Sequence, residues 1–216
     1  IADLDGNGFI DPGNFAVDDH GDLRIIGNQS PRYRYGVNLS ARWNGIGLSV
    51  FLQGVGARDW YPGSDAGMFW GKYGRPFFAL IPSIHNYTDD MYSAERNNWD
   101  TAYWPRMTTY QSNGTKNWTR LLEIPNTRYI QSAAYLRVKN IQLDYSFPKH
   151  ICSAIRLQGR KIYVNAENLF TFTPLHKYAP NFDPEGLSYD SDFASAADGY
   201  TYPILKSVTV GVNITF

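Results

Sequence analysis

Five stretches of the chain alternate apolar and polar residues one for one, the pattern of a β-strand with one greasy and one wet face. In the first, Tyr33, Tyr35, Val37, Leu39, Ala41 and Trp43 alternate with Arg34, Gly36, Asn38, Ser40 and Arg42. Asn44-Gly45 follows, a strong two-residue hairpin signal. A second strand returns through Ile46, Leu48, Val50 and Leu52, with Phe51 out of phase. In the third, Ile141, Leu143, Tyr145 and Phe147 alternate with Gln142, Asp144 and Ser146. Upstream of it Leu136 and Val138 fall in the opposite phase, which predicts a bulge near Asn140. The fourth places Ile162, Val164, Ala166, Phe170 and Phe172 opposite Tyr163, Asn165, Glu167 and Thr171. The fifth places Val208, Val210, Val212, Ile214 and Phe216 opposite Thr209, Gly211, Asn213 and Thr215.

The segments between these strands alternate in length. They run short (44–45), long (57–134), short (148–159) and long (174–203), after an Asp/Gly-rich loop over 1–32. Antiparallel strands put alternate connections on opposite sides, so the long loops share one side. A short helix is expected near Ser93–Trp99 inside the longest. Outer-membrane barrels sort their loops in this way, with short periplasmic turns and long extracellular loops. A barrel also resolves the last strand, whose edge carries no charge, proline or other blunting device. The reading is therefore all-β: an antiparallel transmembrane β-barrel segment with long extracellular loops. Five strands are too few to close a barrel, whose bacterial minimum is about eight. A segment of a longer barrel is expected, with the last strand running inward to Phe216. The alternative is a soluble, calcium-stabilised carbohydrate-binding β-sandwich.

Composition narrows this picture. The 216 residues carry equal numbers of acids and bases, so nothing points to nucleic acid or an anionic surface. Sixteen Tyr, twelve Phe and six Trp suit both an all-β fold and the aromatic girdles of a membrane barrel. No apolar run reaches the ~18 residues of a transmembrane helix. Cys152 is the single cysteine, so no intrachain disulfide forms.

The candidate chemistry lies in the loops. Asp3, Asp5, Asn7 and Asp11 have the oxygen spacing of positions 1, 3, 5 and 9 of an EF-hand-type loop. Gly8 stands at the glycine position, and the Phe9 carbonyl would fill position 7. Asn14 stands where a bidentate Glu is usual, and Asp18 or Asp19 is expected to supply that ligand. The competing reading is an Asp/Gly-rich turn held by Asx hydrogen bonds. Trp60, Trp70 and Trp104 head an aromatic-rich loop that also holds Tyr61, Tyr73, Trp99 and Tyr103. Such rings either stack on sugar faces or pack the loop's own small core; packing is favoured residue by residue. Asp89-Asp90 and the Asp183/Glu185 pair read as solvated turn carboxylates rather than a hydrolase acid/base pair. His20, His85, His150 and His176 lack metal-ligand spacing, and no nucleophile or phosphate-loop motif occurs. The chain is expected not to be an enzyme.

Eight stretches in order resemble the C-terminal end of a SusC/RagA-type TonB-dependent transporter of Bacteroidetes. They are Asp3–Asp11, Ile25–Asn28, Tyr35–Leu39, Phe51–Gly56, Tyr135–Asn140, Asn168–Thr173, Asp183–Glu185 and Val210–Phe216. The resemblance implies a barrel of about 22 strands, of which these are the last five. It implies an outer-membrane location and a TonB complex engaged through an N-terminal part absent here. It further implies a SusD-like surface lipoprotein as a lid and an oligosaccharide, glycan or peptide as substrate.

Overall fold

The computed structural model describes residues 3–9, 11, 13–14, 16–61, 93–103, 125–148, 159–178, 182–187 and 204–215. Its seven described strands are β1 (Arg32–Trp43), β2 (Ile46–Ala57), β3 (Asp59–Trp60), β4 (Gln131–Ser132), β5 (Tyr135–Ser146), β6 (Gly159–Phe172) and β7 (Ser207–Thr215). The chain divides into two compact units. One comprises Pro31–Arg58, Ala133–Pro174 and Pro203–Phe216; the other comprises Ile1–Ser30, Asp59–Ser132 and Leu175–Tyr202.

The first unit is a single antiparallel sheet in the order β1-β2-β5-β6-β7. Its registers turn the alternation of each strand into rows that cross all five. Ala41, Leu48, Leu143, Val164 and Val210 form one row, and Leu39, Val50, Ile141, Ala166 and Val208 the next. The same registers line up Ser40, Ser49, Gln142, Asn165 and Thr209 on the opposite face. The apolar face lies open: Val208 is 66% and Val210 72% exposed. A contiguous apolar surface of this extent is not tolerated against water. It is the surface of a strand wall set in hydrocarbon, and among the described residues of this unit no second sheet covers it as a sandwich requires.

The Asn44-Gly45 turn carries positive φ at both residues, 47° and 86°, as a two-residue hairpin of this kind demands. The bulge sits at Lys139. The pairing of β5 with both neighbours jumps from Val138 to Asn140, so Leu136 and Val138 return to the apolar face. Opposite it, Asn168 takes up a left-handed φ of 53°. Phe51, out of phase in the sequence, pairs with Asn38 and Asn140 on the polar face, and its ring reaches within 3.3 Å of the β-carbon position of Gly36.

The second unit contains the β3–β4 pair, Asp59 opposite Ser132 and Trp60 opposite Gln131, which the alternation rule cannot detect in two residues. Ser93–Thr101 forms consecutive turns instead of the expected helix. Single helical-type bonds run from the Asn97 N–H to the Ser93 carbonyl at 2.9 Å and from the Ala102 N–H to the Asn98 carbonyl at 2.8 Å, and the left-handed φ of 48° at Asn97 keeps the two turns from joining into a helix. No described helix is long and apolar enough to cross a membrane.

Candidate functional site

The acidic loop is built from its own side chains upward. Asp3 accepts the Gly6 N–H at 2.6 Å and the Gly8 N–H at 2.9 Å, while Asp5 accepts the Asn7 N–H at 3.0 Å. Asn7 accepts the Phe9 N–H at 2.7 Å. Gly6 and Gly8 have φ of 77° and 84°, the reversal that wraps the loop around its carboxylates. The hydrogen bond from Gly8 is the main cause of a lowered Asp3 pKa; desolvation opposes it, and Gly6, Asp5 and Asn7 reinforce it.

Asp3, Asp5 and Asp22 bring carboxylate oxygens within 4.8 Å of one another. Ca²⁺ binds oxygens at about 2.3–2.6 Å, so ligands on opposite sides of one ion stand about 5 Å apart. The donor set and its spacing fit that ion. The third carboxylate is Asp22, not Asp18 or Asp19. Asp19 instead accepts the Asn14 side-chain amide, and its carbonyl takes the Asn14 N–H at 3.1 Å. Asp22 is fixed by accepting the backbone N–H groups of Leu4 and of Asp11, the latter at 2.9 Å. Its own N–H donates to the Asp11 carbonyl at 2.9 Å. Asp11 stands beside this trio, accepting the Gly13 N–H at 2.8 Å and the Asn7 amide at 3.3 Å. Nothing local in the sequence marks Asp22, because the return of the chain through Gly13 and Gly21 brings it there.

Trp60 is 2% exposed, and its ring packs on Phe182 with centroids 5.1 Å apart. It has no open face on which a sugar could stack. Trp70 and Trp104 lie outside the described residues, as do Tyr73 and Asp89-Asp90. Around Trp60 the second unit has a core of its own. Tyr103 stacks on Tyr178 at 3.8 Å and meets Tyr129 edge-on at 5.6 Å. Gln131 donates to the Tyr103 hydroxyl at 2.7 Å, and that hydroxyl donates to the Arg128 carbonyl at 3.0 Å. Burial pushes the hydroxyl pKa of Tyr61, Tyr103 and Tyr129 upward. Trp99, by contrast, is 72% exposed. Asp183 and Glu185 form a turn: Asp183 accepts the Glu185 N–H at 2.9 Å and, through its carbonyl, the Gly186 N–H at 3.1 Å.

The polar face of the sheet carries its own ion cluster. The Asp144 carboxylate, with a side chain 3% exposed, lies 3.4 Å from Arg42 and 3.2 Å from Lys161. Arg42 reaches it across Gly47, which has no side chain in the way. Arg137 donates to the Thr171 hydroxyl at 2.9 Å. These polar partners face one another across the strands, which suits the wall of a wet lumen.

No family model matches the chain. Curated relatives do. TonB-dependent receptor P3 of Formosa agariphila is 27% identical over 222 residues, covering 100% of this chain and 19% of that protein. TonB-dependent receptor P26 of the same organism is 22% identical, covering 99% of this chain and 21% of its own length. The chain thus spans about a fifth of the relatives it matches. Among solved structures, the RagAB peptide importer in its open-open state superposes with a TM-score of 0.58 at 18% identity, covering 93% of this chain and 19% of that one. The closed-closed state gives 0.55 at 19% identity, over 93% of this chain and 19% of that one. These relatives are receptors and importers. Along its whole length the chain is similar in sequence to TonB-dependent receptors, and it shares the fold of a stretch of the RagAB peptide importer.

Proposed function

We propose that the chain forms part of the wall and the extracellular loops of a barrel that imports nutrients through the outer membrane. The carrying observation is the five-stranded sheet with continuous apolar rows on one face and continuous polar rows on the other. Its long connections all leave from one side. The imported compound is an oligosaccharide or glycan, or a peptide as for the RagAB importer. A SusD-like surface lipoprotein closes over the loops, and the TonB complex drives the cycle through the part of the protein outside this chain. Uptake of labelled oligosaccharides and peptides by cells with and without the full-length gene tests the reading. Loss of uptake of one class is expected on deletion; unchanged uptake of both overturns it.

We further propose that Ca²⁺ binds the acidic loop, held by Asp3, Asp5 and Asp22 with Asn7, the Phe9 carbonyl and Asp11 completing the oxygen shell. The role is to stiffen an extracellular loop. Three carboxylates this close repel one another without a cation, which supports the reading.

A further inference from the structure

Alternation with a period of two settles which face of a strand is apolar, but it survives a slip of two residues unchanged. Such a slip keeps every apolar side chain outward while altering strand stagger, and stagger is linked to barrel tilt and diameter. Where two strands join through a two-residue turn, the turn fixes the register. That serves β1 and β2. It does not serve β6 and β7, which are separated by residues 173–206.

We propose that a glycine socket selects the register of β7: Gly211 receives the ring of Tyr163, and only the native pairing lets it do so. Gly211 is the one glycine of β7, in a strand otherwise suited to dense β packing. It stands directly opposite Tyr163, and a β-carbon on Gly211 would overlap the end of that ring. A slip of two in either direction sets Tyr163 against Thr209 or Asn213, both of which carry side chains. The same device recurs across the β2/β5 interface, also joined by a long connection. There Gly47 faces Asp144, and a β-carbon on it would come within 2.6 Å of the carboxylate. The β5/β6 interface is keyed instead by a bulge at which Asn168 and Leu169 of β6 stand opposite Lys139 alone. At β2/β5 the glycine excludes the slip that sets Asp144 against Ser49; at β6/β7 it excludes slips in both directions.

The test uses the full-length transporter with Cys152→Ser and paired cysteines. Asn165→Cys with Thr209→Cys reports the native register. Asn165→Cys with Ser207→Cys, and Lys161→Cys with Thr215→Cys, report the two slips. With Tyr163 and Gly211 intact, the native pair alone should cross-link. Tyr163→Ala leaves the socket empty, and slipped cross-links should then appear beside the native one, in protein that still reaches the heat-resistant folded form. Gly211→Val should lose the native cross-link, and adding Tyr163→Gly should restore it. The proposal fails if Tyr163→Ala keeps the native cross-link alone, if Gly211→Val cross-links natively at full yield, or if Tyr163→Gly does not rescue Gly211→Val.

Discussion

Asp22 shows what a linear motif misses. The EF-hand-type spacing locates Asp3 and Asp5, but the carboxylate that joins them comes from 17 residues beyond Asp5, through a backbone path held by Asp11 and Leu4. Asp22→Asn keeps the hydrogen-bond acceptor and removes charge. It should weaken Ca²⁺ binding about tenfold or more by titration calorimetry, while Asp18→Asn leaves affinity unchanged; equal effects from both would remove Asp22 from the site. The pH dependence follows from Asp3. Its folded pKa lies below the ordinary 3.8, so the stabilisation is fully present above that value and is lost as pH falls through the folded one. Loop stability and its part in calcium affinity should hold from pH 7 to about 5 and fall away below about 4. Trp60 makes the complementary point. Composition locates an aromatic loop, but which rings face outward depends on the pairing of β3 with β4 and on Phe182, none of which leaves a periodic trace.

At the scale of elements the alternation was legible because each long strand divides two environments along its whole length. The same rule explains the bulge: the reversal of phase between Val138 and Ile141 has no remedy except one extra residue, and Lys139 is that residue. Deleting Lys139 should turn one half of β5 inside out and abolish the heat-resistant folded form. Lys139→Ala, which keeps the count, should fold normally; a folded deletion variant would disprove the phase argument. Ala41, Val50 and Val210 belong to the apolar rows, so arginine at each should lower stability in lipid by about 2–4 kcal/mol if near the midplane. Denaturant titration in vesicles checks this, and tolerance of all three substitutions would mean the faces are reversed. The turns at Ser93–Thr101 were not legible for the opposite reason. A short polar segment of two isolated helical-type turns has no repeating face, and a single left-handed Asn97 decides its course.

For the whole molecule, two units with different sources of stability should respond differently to the same stress. The sheet depends on its ladders and on an apolar surrounding for its open face. The other unit depends on a tyrosine cluster, in which burial raises the hydroxyl pKa of Tyr61, Tyr103 and Tyr129. A tyrosine whose folded pKa is raised stabilises fully below its unfolded value of about 10 and ceases to do so as pH climbs toward the folded one. Alkaline titration should therefore ionise exposed tyrosines first. The buried cluster should follow above about pH 10, in one cooperative step that coincides with protease sensitivity at Ser93–Tyr103. The heat-resistant band on a gel, which reports the sheet, should persist through that step. Tyr103→Phe removes one ionisable hydroxyl but also the hydrogen bonds to Gln131 and the Arg128 carbonyl. It should lower the amplitude of the late absorbance change and advance the onset of proteolysis. If all tyrosine absorbance instead develops near pH 10 while the loops stay intact, the cluster is solvated and the second unit has no core of its own to lose.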